Sequence, residues 1–418
     1  MKKLLYALGS FIIILLIGIN ALFYYENMYI KKYIPVTEEV YKKPQQTTLR
    51  NIKSNNNNTS TTNKNNSLSV KLKTQPKEYK ASIFMAGDVF FNGYLLKSYY
   101  DRQSQAYTFG DILENVKDIT YADLSIFKFD SVVSDNIPIS TYGKYNAPKE
   151  ALNVLKSGRF NLAVLSSSHI FDGKVEGLQK TINNLKEAKI ETVGVKLSQE
   201  DHTSKVFDIN NIRIGVAAFT KELSSVYLEG SSTYKDFVSL LDKDEIQNEI
   251  EYLKGLGCDI IIAYTNWGFE NSNTVSFEQK EFAKELIKNG VDIVIGTHTH
   301  TIQPFEKVKV EDESGNVKEG IVFYSLGNFL CDQTVIFPYN RFGLTVRLDL
   351  VKKEDKLTKK ISVEPIYIFR KTRRNASYYD FIVLEAKDIL NRTDVKTSYI
   401  NYAKKLLEDI DKWLKTVQ

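Results

Sequence analysis

The sequence predicts a layered α/β domain, and three observations predict it. Apolar runs recur at Ser82–Ala86, Leu124–Phe127, Leu162–Leu165, Lys205–Ile209, Ile212–Phe219, Ile260–Tyr264, Asp292–Ile295, Ile321–Ser325 and Gly343–Leu350, most of them continuous rather than alternating. Such runs suit strands covered on both faces. Segments of helical period stand between several of them, which is the alternation of a layered α/β fold. Finally, carboxylates and imidazoles gather where the runs end, and ligands collect beyond the carboxyl ends of strands in open α/β sheets.

Taken from the N-terminus, Lys2 and Lys3 precede Leu4–Tyr25, an uncharged run in which only Ser10 and Asn20 are strongly polar. A helix of about 20 residues crosses the hydrocarbon core. The exit Gly18-Ile19-Asn20-Ala21 lacks the Ala-x-Ala pattern of a cleaved signal, and Tyr24 and Tyr25 suit an interface. An uncleaved signal anchor is expected, with the rest of the chain outside the cell. Lys31 and Lys32 on the far flank weaken the charge asymmetry behind that orientation. From about Glu38 to Lys80 the composition turns to Asn, Thr, Ser and Lys, as in Ser54-Asn55-Asn56-Asn57-Asn58-Thr59. A stretch with so little to bury cannot offset its ordering entropy, and it reads as a tether.

Of the helical segments, Val175–Ala188 places Leu178, Ile182 and Leu185 on one face. Asp242–Leu256 does the same with Ile246, Ile250 and Leu253, and Asp242 stands at its N-cap. Phe277–Asn289 ends at Gly290, a C-cap residue. Tyr399–Val417 is a last amphipathic helix, expected on the outside of the domain. The resulting organisation is a cytoplasmic N-terminus at 1–3, an anchor at 4–25, a tether at 26–80, a domain at 81–372 and a helical segment at 373–418. No solenoid-period repeat is present.

The 418 residues are 43% hydrophobic, enough for a substantial core. The net charge of +5 is small for this length and points away from nucleic acid. Cys258 and Cys331 are the only cysteines, without a Cys-x-x-Cys pair, which excludes a zinc ribbon or a disulfide scaffold.

Two of the four histidines, His298 and His300, follow the run Val291–Ile295 within Gly296-Thr297-His298-Thr299-His300. Imidazole is the commonest metal-ligand side chain. Other runs end in Gly87-Asp88, in Lys128-Phe129-Asp130, in Ser166-Ser167-Ser168-His169 with Asp172, in Asn266-Trp267-Gly268-Phe269-Glu270, and in Ser325-Leu326-Gly327-Asn328. Singly, each has a plain structural reading: Asp88 as a turn former, His169 as a scaffold residue, Trp267 as core. Together they bring carboxylates and imidazoles to one edge of a sheet.

Their order and spacing resemble the CapA (PgsA-like) capsule and poly-γ-glutamate synthesis family. The motifs that carry the resemblance are Met85-Ala86-Gly87-Asp88, Ala122-Asp123-Leu124, Ser168-His169 with Asp172, Glu176-Gly177-Leu178, Asn266 to Glu270, Gly296 to His300, and Ser325 to Phe329. The resemblance implies a four-layer αββα sandwich of the calcineurin-like metallophosphatase type. It implies that Asp88, Asp130 and His300 hold a first divalent ion (Mn, Fe or Zn), and that Asp130, Asn266 and His298 face a second. It also makes His169, oriented by Asp172, a general acid.

Three positions depart from the family pattern. Lys128-Phe129-Asp130 stands where Asn-Leu-Glu is usual, Ser167-Ser168-His169 where Asn-Asn-His is usual, and Asn266-Trp267-Gly268 where His-Trp-Gly is usual. Ser168 and Asn266 thereby cost the second ion an amide oxygen and an imidazole, and an asparagine oxygen is the poorer transition-metal ligand. An ammonium about 4 Å from a divalent cation is repelled by several kcal/mol at an effective dielectric of ~20. Lys128 is therefore expected to stand in for the second cation, leaving one metal or none; a Lys128 turned to solvent would remove that argument.

The function implied is a membrane-anchored extracellular protein acting in the biosynthesis or export of capsule or poly-γ-glutamate. Its expected partners are the anionic polymer or its membrane synthase complex. A metal-dependent hydrolase with a degraded site, a non-catalytic polymer-binding or scaffolding protein and a general cell-surface phosphoesterase are the competing forms of that reading. Metal analysis separates them.

Overall fold

The computed structural model describes residues 77–417 apart from 141–142, 224–231, 312–314, 334–337 and 374–377. The expected anchor at 4–25 and the tether up to residue 76 lie outside the described residues. No helix among the described residues is long and apolar enough to cross a membrane. The described residues fall within one compact unit.

The chain forms a mixed α/β fold built on two sheets. In chain order the strands are β1 (Glu78–Val89), β2 (Tyr100–Asp101), β3 (Ala106–Tyr107), β4 (Leu124–Phe129), β5 (Leu162–Val164), β6 (Glu191–Val193), β7 (Lys205–Ile209) and β8 (Ile212–Thr220). They continue as β9 (Ile260–Asn266), β10 (Ile293–Thr297), β11 (Ile302–Glu311), β12 (Val317–Leu326), β13 (Asn328–Leu330), β14 (Phe342–Lys353), β15 (Lys356–Thr372) and β16 (Tyr379–Glu385). The helices are α1 (Gly93–Lys97), α2 (Lys117–Thr120), α3 (Ala151–Ser157), α4 (Lys174–Glu187), α5 (Lys243–Gly255), α6 (Phe277–Asn289) and α7 (Thr397–Val417).

The first sheet runs β16-β15-β14-β1-β4-β5-β6, with β13 beside β1, and the second runs β11-β12-β10-β9-β8-β7. In the first, β1, β4, β5 and β6 pair in parallel and β14, β15 and β16 continue antiparallel from β1; the second has a parallel centre and two antiparallel edges. In the second sheet β8, α5, β9, α6 and β10 follow one another in βαβ fashion, and the three strands pair in parallel. The helix ends behave as their sequence requires. Asp242 caps α5 by accepting from Glu245 N–H at 3.0 Å, and Ser276 and Gln279 close a capping box on α6. Gly290 ends α6 at φ 112°, a left-handed conformation suited to glycine.

Side-chain alternation sorts the core into layers. Ile83, Met85, Ile126 and Val164 of the first sheet share a cluster with Ile214, Val216, Ile262 and Ile295 of the second, so the sheets pack face to face. The opposite face of the first sheet, through Phe84, Phe127 and Ala163, packs on Leu155 of α3 and on Leu178 and Leu185 of α4. The opposite face of the second, through Ala217, Ile261 and Val294, packs on Ile250 of α5 and on Leu286 and Ile287 of α6.

Two elements differ from expectation. The C-terminal helix does not lie over an outer face: Ala403, Leu406 and Ile410 of α7 join the core between the sheets, and Trp413 meets Phe305 of β11 with ring centroids 5.5 Å apart. The reason is that the sandwich needs an apolar closure at this end, and the stripe of α7 supplies it. The first sheet also continues past residue 372, because β16 pairs with β15 from Thr372↔Tyr379 to Ile366↔Glu385. Both cysteines are free.

Candidate functional site

The carboxyl ends of β1, β4, β9 and β10 meet at one edge of the sandwich. Asp88 arrives there through a bulge. Ile83 and Met85 face the second sheet, and strict alternation would turn residue 88 to the outer layer with Phe84 and Ala86. The register between β1 and β4 shifts between Met85 and Asp88, which pairs Asp88 with Lys128 and turns its carboxylate inward. Gly87 is obligatory beside it, since a Cβ there would stand 2.0 Å from the Gly327 carbonyl oxygen. Gly296 is equally constrained, with the Tyr324 carbonyl 1.9 Å from where its Cβ would be.

The His-x-His turn is strained. His298 and His300 both hold positive φ, 83° and 58°. Such backbone persists where surrounding contacts over-determine it, as they do at functional sites. Thr299, buried between them, donates to Thr301 O and is 2.8 Å from Ser325 Oγ. The backbone N–H of His298 donates to Asp88 Oδ2 at 3.1 Å, and His300 Nδ1 lies 3.4 Å from the same oxygen and 3.0 Å from Asn328 Oδ1. Both neighbours of that nitrogen are acceptors, so Nδ1 carries the hydrogen. Asn328 in turn donates to the carbonyls of His300 and Asn340.

Lys128 lies on the inter-sheet face of β4, in phase with Ile126, and is fully buried. Its Nζ is 3.3 Å from Asp88 Oδ1 and 3.0 Å from Asp130 Oδ1. Asp130 also accepts a short hydrogen bond from Ser167 Oγ. Ser168, which stands where the family pattern has its second asparagine, is only half-buried. His169 donates its backbone N–H to Ser167 Oγ and sets Nδ1 3.1 Å from Asp172 Oδ2. That leaves Nε2 as the ring nitrogen not turned to Asp172. Asp172 is held in turn by the Tyr145 N–H at 2.5 Å.

The charges follow from this packing. Burial pushes Asp88 up, but Lys128 and His300 outweigh it and hold the carboxyl below its usual range. Asp130 is likewise lowered: burial opposes, and Lys128, His169 and His300 prevail. For Lys128, burial is overcome by the two carboxylates, and its pKa rises. His300 is raised despite burial, by its bond to Asp88 and the charges of Asp88, Asp130 and Glu270. His169 is raised despite burial by Asp172 and Asp130. His298 goes the other way, down to about 4, through burial and the neighbouring His300 and Lys128. It is a neutral imidazole at pH 7.

Asp88, Lys128, Asp130, His169, Asp172, His298, His300 and Asn328 are thus linked through one set of contacts. Asn266 ends β9 in register with Thr297; its Nδ2 donates to Thr220 Oγ1 at 3.1 Å, and its Oδ1 is buried with no hydrogen-bond partner. Glu270 is exposed and reaches His300 through its charge. Trp267 belongs to the core instead: it packs in the layer between the second sheet and α5–α6 and donates Nε1–H to the Tyr324 carbonyl at 2.8 Å. The pleat turns it away from the edge, one residue out of phase with Asn266. Two rings were missed by the sequence reading. Phe90 lies 5.2 Å from the His300 ring and 5.5 Å from Tyr145, whose ring meets His169 edge-on at 4.5 Å. Phe90 follows Asp88 by two residues, which was a usable signal; Tyr145 offered none.

Ligand atoms of Asp88, Asp130 and His300 lie within 4.8 Å of one another, a set of the kind that holds a divalent ion. As folded, this set does not fit one. An ion would need carboxylate oxygens at about 2.0–2.2 Å, and the Lys128 ammonium already lies against both acids. It faces two of the three ligands expected for the first ion, not only the Asp130 shared with the second.

Fold and site together define an α/β protein with a carboxylate–imidazole centre at the carboxyl ends of its parallel strands. The chain belongs to the family described as bacterial capsule synthesis protein PGA_cap, which matches residues 82–333. It is similar to the capsule biosynthesis protein CapA of Bacillus anthracis, with 27% identity over 264 residues, 61% of this chain and 60% of that one. It is also similar to the PGA biosynthesis protein CapA of Bacillus subtilis (strain 168), with 29% identity over 188 residues, 44% of this chain and 46% of that one. The match thus spans less than two thirds of either relative. Among solved structures, the NAD nucleotidase of Haemophilus influenzae aligns at a TM-score of 0.42 and 15% identity, covering 80% of this chain and 63% of that one. A calcineurin-like phosphoesterase of Bacillus subtilis aligns at 0.40 and 15%, covering 69% and 91%.

Proposed function

We propose that this chain is a membrane-anchored, extracellular protein of capsule or poly-γ-glutamate synthesis or export, built on a metallophosphatase-type αββα scaffold, and that its strand-end site binds the anionic polymer. The family match supports the pathway, and Leu4–Tyr25 supports the anchor. The single observation that carries the binding reading is Lys128, whose ammonium lies against both acids and offsets one of their two charges, while His300, raised toward its charged form, stands beside Asp88 and offsets the other. A centre already balanced in this way does not repel a polyanion. Nε2 of the half-buried His169, a ring raised toward its charged form, suits a polymer carboxylate, and the half-buried Tyr145 ring that meets it suits the methylene groups.

The experiment is complementation of a deletion strain, with cell-attached polymer as the readout. Wild type and an inert surface control should restore it, and His169→Ala should not; full restoration by His169→Ala would refute a role for the site. Proteolysis of intact cells should remove the globular part if the domain is extracellular. A hydrolytic reading is favoured by one observation, the His169–Asp172 pair. Turnover of phosphoester or γ-glutamyl substrates by the purified chain, abolished in His169→Ala, would establish it in place of simple binding.

A further inference from the structure

We infer that Lys128 is a resident replacement for a divalent cation, so that the wild-type chain takes no metal at Asp88, Asp130 and His300, and that removing this one amine creates a metal site. The inference shares the Lys128 contacts with the polymer reading but does not require that the site bind polymer.

Four features of the site lead to it. Lys128 reaches the carboxylates from within the core face of β4, with no exposed surface, so it has no nearby solvent position to retreat to. The acids are engaged, Asp88 Oδ2 by His300 and the His298 N–H and Asp130 by Lys128 and Ser167, while Asp88 Oδ1 and Lys128 meet at 3.3 Å as an ion pair without hydrogen-bond geometry. An entering ion would have to displace an ammonium and then sit beside it. At the end of β9, Asn266 leaves its buried Oδ1 unpartnered where an imidazole would have been the stronger ligand. Finally, the residues that would receive an ion remain. Without Lys128, two buried carboxylates face each other beside His300, a combination that favours any divalent cation of suitable size.

The test uses the full chain, stripped with chelator and titrated with Mn²⁺ or Zn²⁺ alone, reading bound metal and thermal midpoint. Wild type should bind no stoichiometric metal, and its midpoint should not move. Lys128→Ala and Lys128→Met should each take up about one equivalent and gain midpoint with metal concentration, as expected when folding and binding are linked. Lys128→Ala combined with Asp88→Asn should lose that uptake. An equivalent of metal on wild type that Asp88→Asn abolishes would overturn the inference, as would folded Lys128 variants that bind none. Should neither variant fold, the wild-type titration decides by itself, since only wild-type binding dependent on Asp88 contradicts the replacement.

Discussion

Replacing Lys128 with methionine keeps most of the side-chain volume and removes only the charge. The ammonium stands 3.0 Å from Asp130 and 3.3 Å from Asp88. At those distances and an effective dielectric of ~20, each contact is worth about 5 kcal/mol before desolvation. Burying the three charges returns much of this, and removing one partner of a buried ion pair generally costs about 3–5 kcal/mol because the remaining charge is uncompensated. Lys128→Met should therefore lose about 3–5 kcal/mol in urea denaturation at pH 7, through a lower midpoint at unchanged slope. The pH dependence gives a second signature. In wild type the folded pKa values of Asp88 and Asp130 lie below their unfolded values, so their contribution is complete above about pH 4 and is lost as pH falls further. In the variant the two unbalanced acids must share a proton, and at least one folded pKa rises above the unfolded value. Its deficit should shrink as pH is lowered from 7 toward 5. Saturating Mn²⁺ should restore about 2.7 kcal/mol at a hundredfold excess over Kd. A deficit below about 1 kcal/mol that is flat with pH would show that the ammonium does not balance these acids.

Three other outcomes are expected. His298 titrates near 4 in the folded chain, below the ordinary value of about 6.5, so the unfolded chain binds the proton more readily between these values. Stability should rise with pH across that window by at most about 3 kcal/mol from this residue, and His298→Gln should remove that part of the slope. His169 and His300 act oppositely, their contributions being complete below about pH 6.5 and fading above it. Asp172→Asn should lower the His169 pKa by about a unit in an NMR titration; an unmoved value would mean that the pair does not set its charge. Gly296→Ala would drive a methyl group into the Tyr324 carbonyl, which belongs to a neighbouring strand and cannot give way, and should cost about 3 kcal/mol or more. A soluble variant of wild-type stability would contradict the packing at this strand end.

What could be read from the sequence was whatever burial makes repetitive. The largely apolar strands β8 and β9 and the capped helices α5 and α6 lie within a residue or two of where their patterns place them. The edge strands were harder. β15, at 17 residues, opens with Lys356-Leu357-Thr358-Lys359-Lys360, whose exposed lysines hide the strand pattern, and it was not expected. β16 was missed because its neighbours in sequence suggested only a helical tail. At the site, the residue types near the strand ends were visible, but their directions were not. Asp88 faces inward only because of a bulge, and bulges leave no period in the sequence. Trp267 stood inside a motif and proved to be core, one step of the pleat away from Asn266. Lys128 was open to two readings, solvent or site. What distinguishes them is its phase with Ile126 across the inter-sheet face, a tertiary fact.

The most direct test is a crystal structure of the wild-type chain soaked in Mn²⁺, with anomalous scattering collected at the manganese edge. The expected result is side-chain density for Lys128 reaching between Asp88 and Asp130 and no anomalous peak beside them. A peak coordinated by Asp88, Asp130 and His300, with the Lys128 side chain turned aside, would contradict it.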